Sequence, residues 1–119
     1  MNAPFILSLA LIAQTAQLSV SELLTNPDRF NGQRVTVIGT MNNLRGSTWH
    51  RGTRRYTFDL GDDNRTVYVI SFEKPPCRSG AATVEGTFER VKKGSHFSNE
   101  ITARSVTCLS VKREERGKR

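Results

Sequence analysis

RVTVIGTMNNLRGSTWHRGTRRYTFDLGD, residues 34–62, sets two alternating apolar and polar stretches on either side of a basic loop that carries an aromatic residue. In the first stretch Val35, Val37, Gly39 and Met41 fall on one face, and Thr36, Ile38, Thr40 and Asn42 on the other, the two-residue period of a β-strand. In the second, Tyr56, Phe58 and Leu60 share a face. Between them, the segment from Arg45 to Arg54 holds Arg45, Trp49, His50, Arg51 and Arg54 with two glycines. Such a composition builds no core but can line a binding surface.

Working outward, the first strand is predicted over Arg34 to Leu44, long for one strand. Gly39 at its centre is read as a bulge or bend that lets the strand serve two sides of a barrel. The second strand spans Arg55 to Leu60, and Gly61-Asp62-Asp63-Asn64 turns the chain into a third, Arg65 to Phe72. There Val67 and Val69 face one way and Tyr68, Ile70 and Phe72 the other. Both faces are apolar, so one covers the core and the other meets something else. Glu73 to Gly80, EKPPCRSG, has no helical period and reads as a connection. A fourth strand follows over Ala82 to Val91, with Val84, Gly86 and Phe88 on one face. A second basic loop spans Lys92 to Ser98, and a fifth strand spans Asn99 to Leu109. Before the first strand, SVSELLTN offers Ser19 as N-cap, Glu22 three residues on, and Val20, Leu23 and Leu24 at helical spacing, which predicts a short helix ended by Pro27. Asn31-Gly32 marks a turn into the first strand, and Phe30 is expected beneath the barrel.

The two ends read differently. From Phe5 to Ala13 the chain is apolar, well short of the roughly 20 residues that span a bilayer. As residues 1–17 this leader reads as a secretory signal, cleaved between Ala13 and Gln17. No Lys or Arg precedes the apolar run, and an N-terminal helix in a cytoplasmic protein is the other reading. Residues 18–110 form one domain, and 111–119, KREERGKR in its last eight residues, read as a disordered basic tail. The chain of 119 residues carries a formal charge of +7, of which +3 lies in residues 112–119. A basic balance favours anionic partners without choosing among nucleic acid, acidic glycan and lipid head group. One domain of this length leaves little room for a large catalytic cleft.

Cys77 and Cys108 are the only cysteines. In an oxidising compartment they would close a loop of about 30 residues, contributing about 3 kcal/mol on the chain-entropy model; in a reducing one they would be two buried thiols. Neither lies at short ligand spacing to His50 or His96, so no zinc site is predicted.

Val35, Val37 and Gly39, then Leu44-Arg45, then Tyr56, Phe58, Leu60 and Asp62, resemble the nucleic-acid-binding OB-fold family found in the anticodon-binding domains of aminoacyl-tRNA synthetases and in helicase and exonuclease subunits. The resemblance covers Ser19 to Leu109. It implies an all-β fold, a five-stranded OB-type Greek-key barrel with a short N-terminal helix, binding along its second and third strands and the loops beside them. The family's usual helix between the third and fourth strands is missing, since EKPPCRSG cannot form one, and the N-terminal helix around Glu22 to Leu24 is expected to cap the barrel instead.

Single-stranded DNA or RNA needs cations along its phosphates and flat side chains under its bases. Arg45, Arg51, Arg54, Arg55, Lys92 and Lys93 supply the first. Trp49, Tyr68, Phe72 and Phe97 are candidates for the second, with His50 and His96 in the two loops. Trp49 folded back over the barrel mouth, or Tyr68 packed under the helix, is the competing reading. No Ser-His-Asp order, Gly-rich phosphate loop or HExxH motif is present, so a non-enzymatic module with no cofactor is expected. If the leader directs export, to the periplasm, the same surface would instead meet an envelope protein, a glycan or a small anion; no transmembrane span is expected in the mature chain.

Overall fold

A computed structural model describes residues 17–48 and 54–109. Ser19 and Glu22 form the expected reciprocal capping box: Glu22 N–H donates to Ser19 Oγ at 3.0 Å and Ser19 N–H to Glu22 Oε1 at 2.8 Å. Helix α1, Val20–Thr25, follows. Pro27 does more than end it, since its fixed φ suits a first helical position and opens a second short turn, α2, Pro27–Phe30. A three-residue strand that the periodicity did not disclose, β1, Gln17–Ser19, precedes α1. The remaining strands are β2, Arg34–Thr48; β3, Arg54–Asp62; β4, Arg65–Ser71; β5, Gly80–Lys93; and β6, His96–Cys108.

Strand β2 pairs antiparallel with β5 over Arg34 to Met41 and with β3 over Thr40 to Thr48. From β3 the sheet runs antiparallel to β4, parallel to β6 and antiparallel to β5, which closes it on β2. The result is the five-stranded OB-type Greek-key barrel. β1 lies parallel to β2, with Leu18 beside Val37, and covers the stretch of β2 edge that β3 does not reach.

The alternation seen in the sequence sorts the barrel. Val35, Val37, Met41, Phe58, Leu60, Val67, Val69, Val84, Phe88 and Ile101 are fully or almost fully buried. Val20 and Leu23 of α1 join this core at zero exposure, so the N-terminal helix plugs the barrel. Phe30 packs at its edge. Residues 73–79 form no helix, as EKPPCRSG implies. Cys77 and Cys108 are bonded, with Cα atoms 6.2 Å apart, tying this connection to the end of β6.

Three local readings are corrected. Gly39 marks no bulge: the β2–β3 register slips between Asn42 and Arg45, where Asn43 takes a positive φ of 59°. Gly39 is small for another reason, because a Cβ there would sit 2.8 Å from Gly61 O and 3.0 Å from Val20 Cγ2. Gly61 and Asp62 belong to β3, leaving the turn to Asp63 and Asn64, with Asp63 at φ 55°. The loop expected over Lys92 to Ser98 contracts to Gly94 and Ser95, because Lys93 pairs with His96 and Gly94 supplies the positive φ of 65° that a two-residue hairpin needs.

A second slip falls between Glu85 and Gly86, where β6 carries Arg104 as an extra residue. A Cβ on Gly86 would collide with the carbonyl oxygen of Thr102 and lie 2.9 Å from Ala103 Cα. Both obstacles are backbone, so Gly86→Ala is expected to destabilise the fold by at least about 3 kcal/mol, read as a lowered urea midpoint with unchanged m-value. Cys77→Ser/Cys108→Ser should lower stability by about 3 kcal/mol in the same measurement.

Candidate nucleic-acid interface

Outward-facing residues on β3, β4 and β6 form the exposed sheet surface. The registers stack them in rows: Asp59, Tyr68 and Glu100 in one, Thr57, Ile70 and Thr102 in the next. Tyr68 and Ile70 are half-buried, and with Arg55, Lys93, Ser98 and Glu100 they line an open concavity of about 470 Å³. The apolar outer face of β4 thus becomes the floor of a groove. Its burial is intermediate because the flanking strands carry short or charged side chains and, among the described residues, no element covers it.

Arg45 reaches this face only because of the slip at Asn43. Strict alternation from the buried Met41 would send Arg45 to the inner face, and one extra residue reverses that parity. Its Nε then donates to Thr57 Oγ1 at 3.2 Å and its Nη2 lies 3.8 Å from Asp59 Oδ1. Asn43 Nδ2 donates to Asp59 Oδ2 at 2.8 Å. On the other flank Lys93 Nζ lies 3.1 Å from Glu100 Oε2, which also accepts from Ser98 Oγ at 3.1 Å. The carboxylates on both sides of Tyr68 are therefore held by cations, and the Tyr68 row is close to electrically neutral. Arg54 and Arg55 pair with no carboxylate among the described residues.

The predicted residues divide accordingly. Arg55, Tyr68 and Lys93 line one concavity, Arg45 flanks it, and His96 shares the face of Ser98 and Glu100 by alternation along β6. Arg54 is exposed at the start of β3. Lys92 and Phe97 do not join them. They pair across the β5–β6 hairpin on the opposite face, where Phe97 lies against Arg90, whose Cζ is 4.4 Å from the ring centroid. Arg90 is in turn bound to Asp28 at 2.7 Å. The short turn preserves alternation through the hairpin, and that alternation separates Lys92 from Lys93. Trp49, His50 and Arg51 lie outside the described residues, as do the leader through residue 16 and the tail from residue 110. Arg45 to Thr48, read as loop, are strand. Ile70 was missed as a groove residue, although its place between Tyr68 and Phe72 on the second apolar face was the available signal.

Among the described residues no three His, Cys, Asp or Glu side chains gather to hold a metal, and no helix is long and apolar enough to cross a membrane.

No family model and no curated protein matches the chain. Solved structures do. A provisionally assigned aspartyl-tRNA synthetase from Leishmania major Friedlin aligns over 88% of this chain at 16% identity and a TM-score of 0.61. This chain spans only 22% of that protein's length. A provisionally assigned nucleic acid-binding lipoprotein from Klebsiella pneumoniae subsp. pneumoniae MGH 78578 aligns over 72% of this chain and 87% of its own, at 17% identity and a TM-score of 0.51. Both likenesses are of fold.

Glu100 is mostly shielded, with its side chain 12% exposed, and depends on Lys93 for its charge partner. Lys93→Ala should cost about 1 kcal/mol of stability, the scale of a partly exposed charged contact. Adding Glu100→Gln should recover much of that loss, a non-additivity measurable in a double-mutant cycle by urea denaturation.

Proposed function

We propose that this chain is a non-enzymatic OB-fold module that binds single-stranded DNA or RNA across β3 and β4. The observation that carries the reading is the groove floored by Tyr68 and Ile70, an aromatic and an aliphatic side chain left half-open on the sheet and flanked by Arg55, which pairs with no carboxylate among the described residues. A base can stack on Tyr68 in a row whose charges are internally balanced, while the phosphates run toward Arg54 and Arg55. Lys93 and Arg45 border the groove and can exchange their carboxylates for a phosphate at modest cost. Stacking tolerates any base, so the module would discriminate weakly among sequences. The lipoprotein of similar fold, itself only provisionally assigned as nucleic acid-binding, is consistent with this use of the barrel.

The disulfide favours a second reading of the partner. A bridge between Cys77 and Cys108 belongs to an oxidising compartment, and with the apolar leader it supports export to the periplasm. There the same groove would take an envelope protein, a glycan or a small anion.

Titration of the full chain with a labelled single-stranded oligonucleotide at two salt concentrations separates the two. Binding through two or three phosphates should give a slope of log K against log salt of about −1.5 to −2. Tyr68→Ala should weaken binding about 5- to 150-fold, the scale of one stacked base, while Lys112→Ala should change it little. Absence of binding at low salt ends the nucleic-acid reading, and equal small effects of the two substitutions reduce it to polyanion attraction.

A further inference from the structure

The outer face of β4 does not stop at Ile70. Phe72 continues its alternation and is 56% exposed, the most exposed of the large apolar side chains among the described residues. The β3–β4 ladder ends at the pair of Tyr56 with Ser71, one residue before Phe72, and Arg55 lines the neighbouring Tyr68 groove. On β6, Arg104 follows two residues after Thr102, the partner of Ile70. Phe72 and Arg104 line one concavity of about 280 Å³, together with Lys74, Pro75 and Pro76. The hollow lies beside the helix-free connection between β4 and β5.

Each of its parts is held in position. Arg104 is the extra residue of the β5–β6 slip, so the bulge that returns Val106 to the core also leaves Arg104 outward. Ser71 Oγ donates to Glu73 O at 2.6 Å and accepts from Glu73 N–H at 3.2 Å, which fixes the turn that carries Lys74. Pro75 is buried, and the Cys77–Cys108 bridge anchors the segment beyond it. Arg55, Lys74 and Arg104 pair with no carboxylate among the described residues, in contrast to Arg45 and Lys93. Glu73 on the rim is the one acidic residue of the lining.

We propose that this hollow is a second nucleotide subsite, continuous with the Tyr68 groove, in which Phe72 stacks a base and Arg104 and Lys74 hold the adjoining phosphates. The inference rests on the nucleic-acid reading above and extends the track along β4. Tyr68 and Phe72 are four residues apart, about 13 Å at the rise of a strand, so they would receive different bases of one strand. The Phe72 end would add backbone contacts through Lys74 and Arg104, which pair with no carboxylate among the described residues.

The test is titration of the full chain with a fluorescein-labelled oligothymidylate of about 8 nucleotides, within the site sizes of about 4 to 16 known for such barrels. Phe72→Ala should weaken binding about 5- to 150-fold, and Arg104→Ala should reduce the magnitude of the salt slope by about 0.7, the share of one phosphate. Both side chains are exposed, and an unchanged thermal melt will confirm that each variant is folded. If Tyr68→Ala weakens binding but Phe72→Ala and Arg104→Ala leave affinity and salt slope as in the parent, the subsite is overturned and the groove stands. If the parent chain itself does not bind, both fall.

Discussion

The barrel depends on one strand being shared between two neighbours. β2 must complete the ladder of β5 with its first half and that of β3 with its second, and the two pairings overlap only at Thr40 and Met41. At that crossing the chain comes close to β3, and the space a side chain would need at position 39 is already filled by Gly61 O, Leu60 and Val20. Glycine is required there by proximity, not by a positive φ. The same crowding explains why α1 is part of the core: Val20 fills the mouth of the barrel over Gly39, and Leu23 extends the plug.

Closure also fixes where charge can go. Two register slips change inward and outward facing in this barrel. At Asn43 the slip turns Arg45 out and lets the strand continue to Thr48. At Arg104 the slip turns Val106 in and leaves a cation facing solvent. Arg45, turned out by the first slip, and Arg104, outward by alternation from Thr102, lie on opposite flanks of the β4 face. At Asn43 an irregularity of the fold and a feature of the proposed interface therefore coincide, so that bulge cannot be regularised without moving Arg45.

Much of this was legible in the chain itself. Alternation in β2 to β5 and the capping box at Ser19 and Glu22 are short-range patterns, and they specified the strands, the helix and nearly all of the core. What escaped has a common physical origin. The parity change at Asn43 depends on a ladder partner 16 residues away, so nothing local announces it. The Lys92 to Ser98 segment looks like a loop because it is polar and holds Gly94, yet a hairpin that projects beyond the core needs no apolar residues to remain paired. Its basic and aromatic composition suggested one binding surface, whereas pairing sends Lys93 to the groove and Phe97 against Arg90 on the far side. β1 is three residues long and is recruited by the uncovered edge of β2, a tertiary demand with no period of its own.

The missing helix between β4 and β5 links fold to surface. In this chain the plug comes from the N-terminus, through Val20 and Leu23, which frees the connection to be short, proline-rich and extended. A segment without secondary structure has few backbone hydrogen bonds to hold it, and the Cys77–Cys108 bridge with the Ser71 turn supplies the lost constraint. A connection of this kind does two things at once: it makes a disulfide valuable to this barrel, and it leaves Phe72 exposed in the hollow that Lys74 and Arg104 also line.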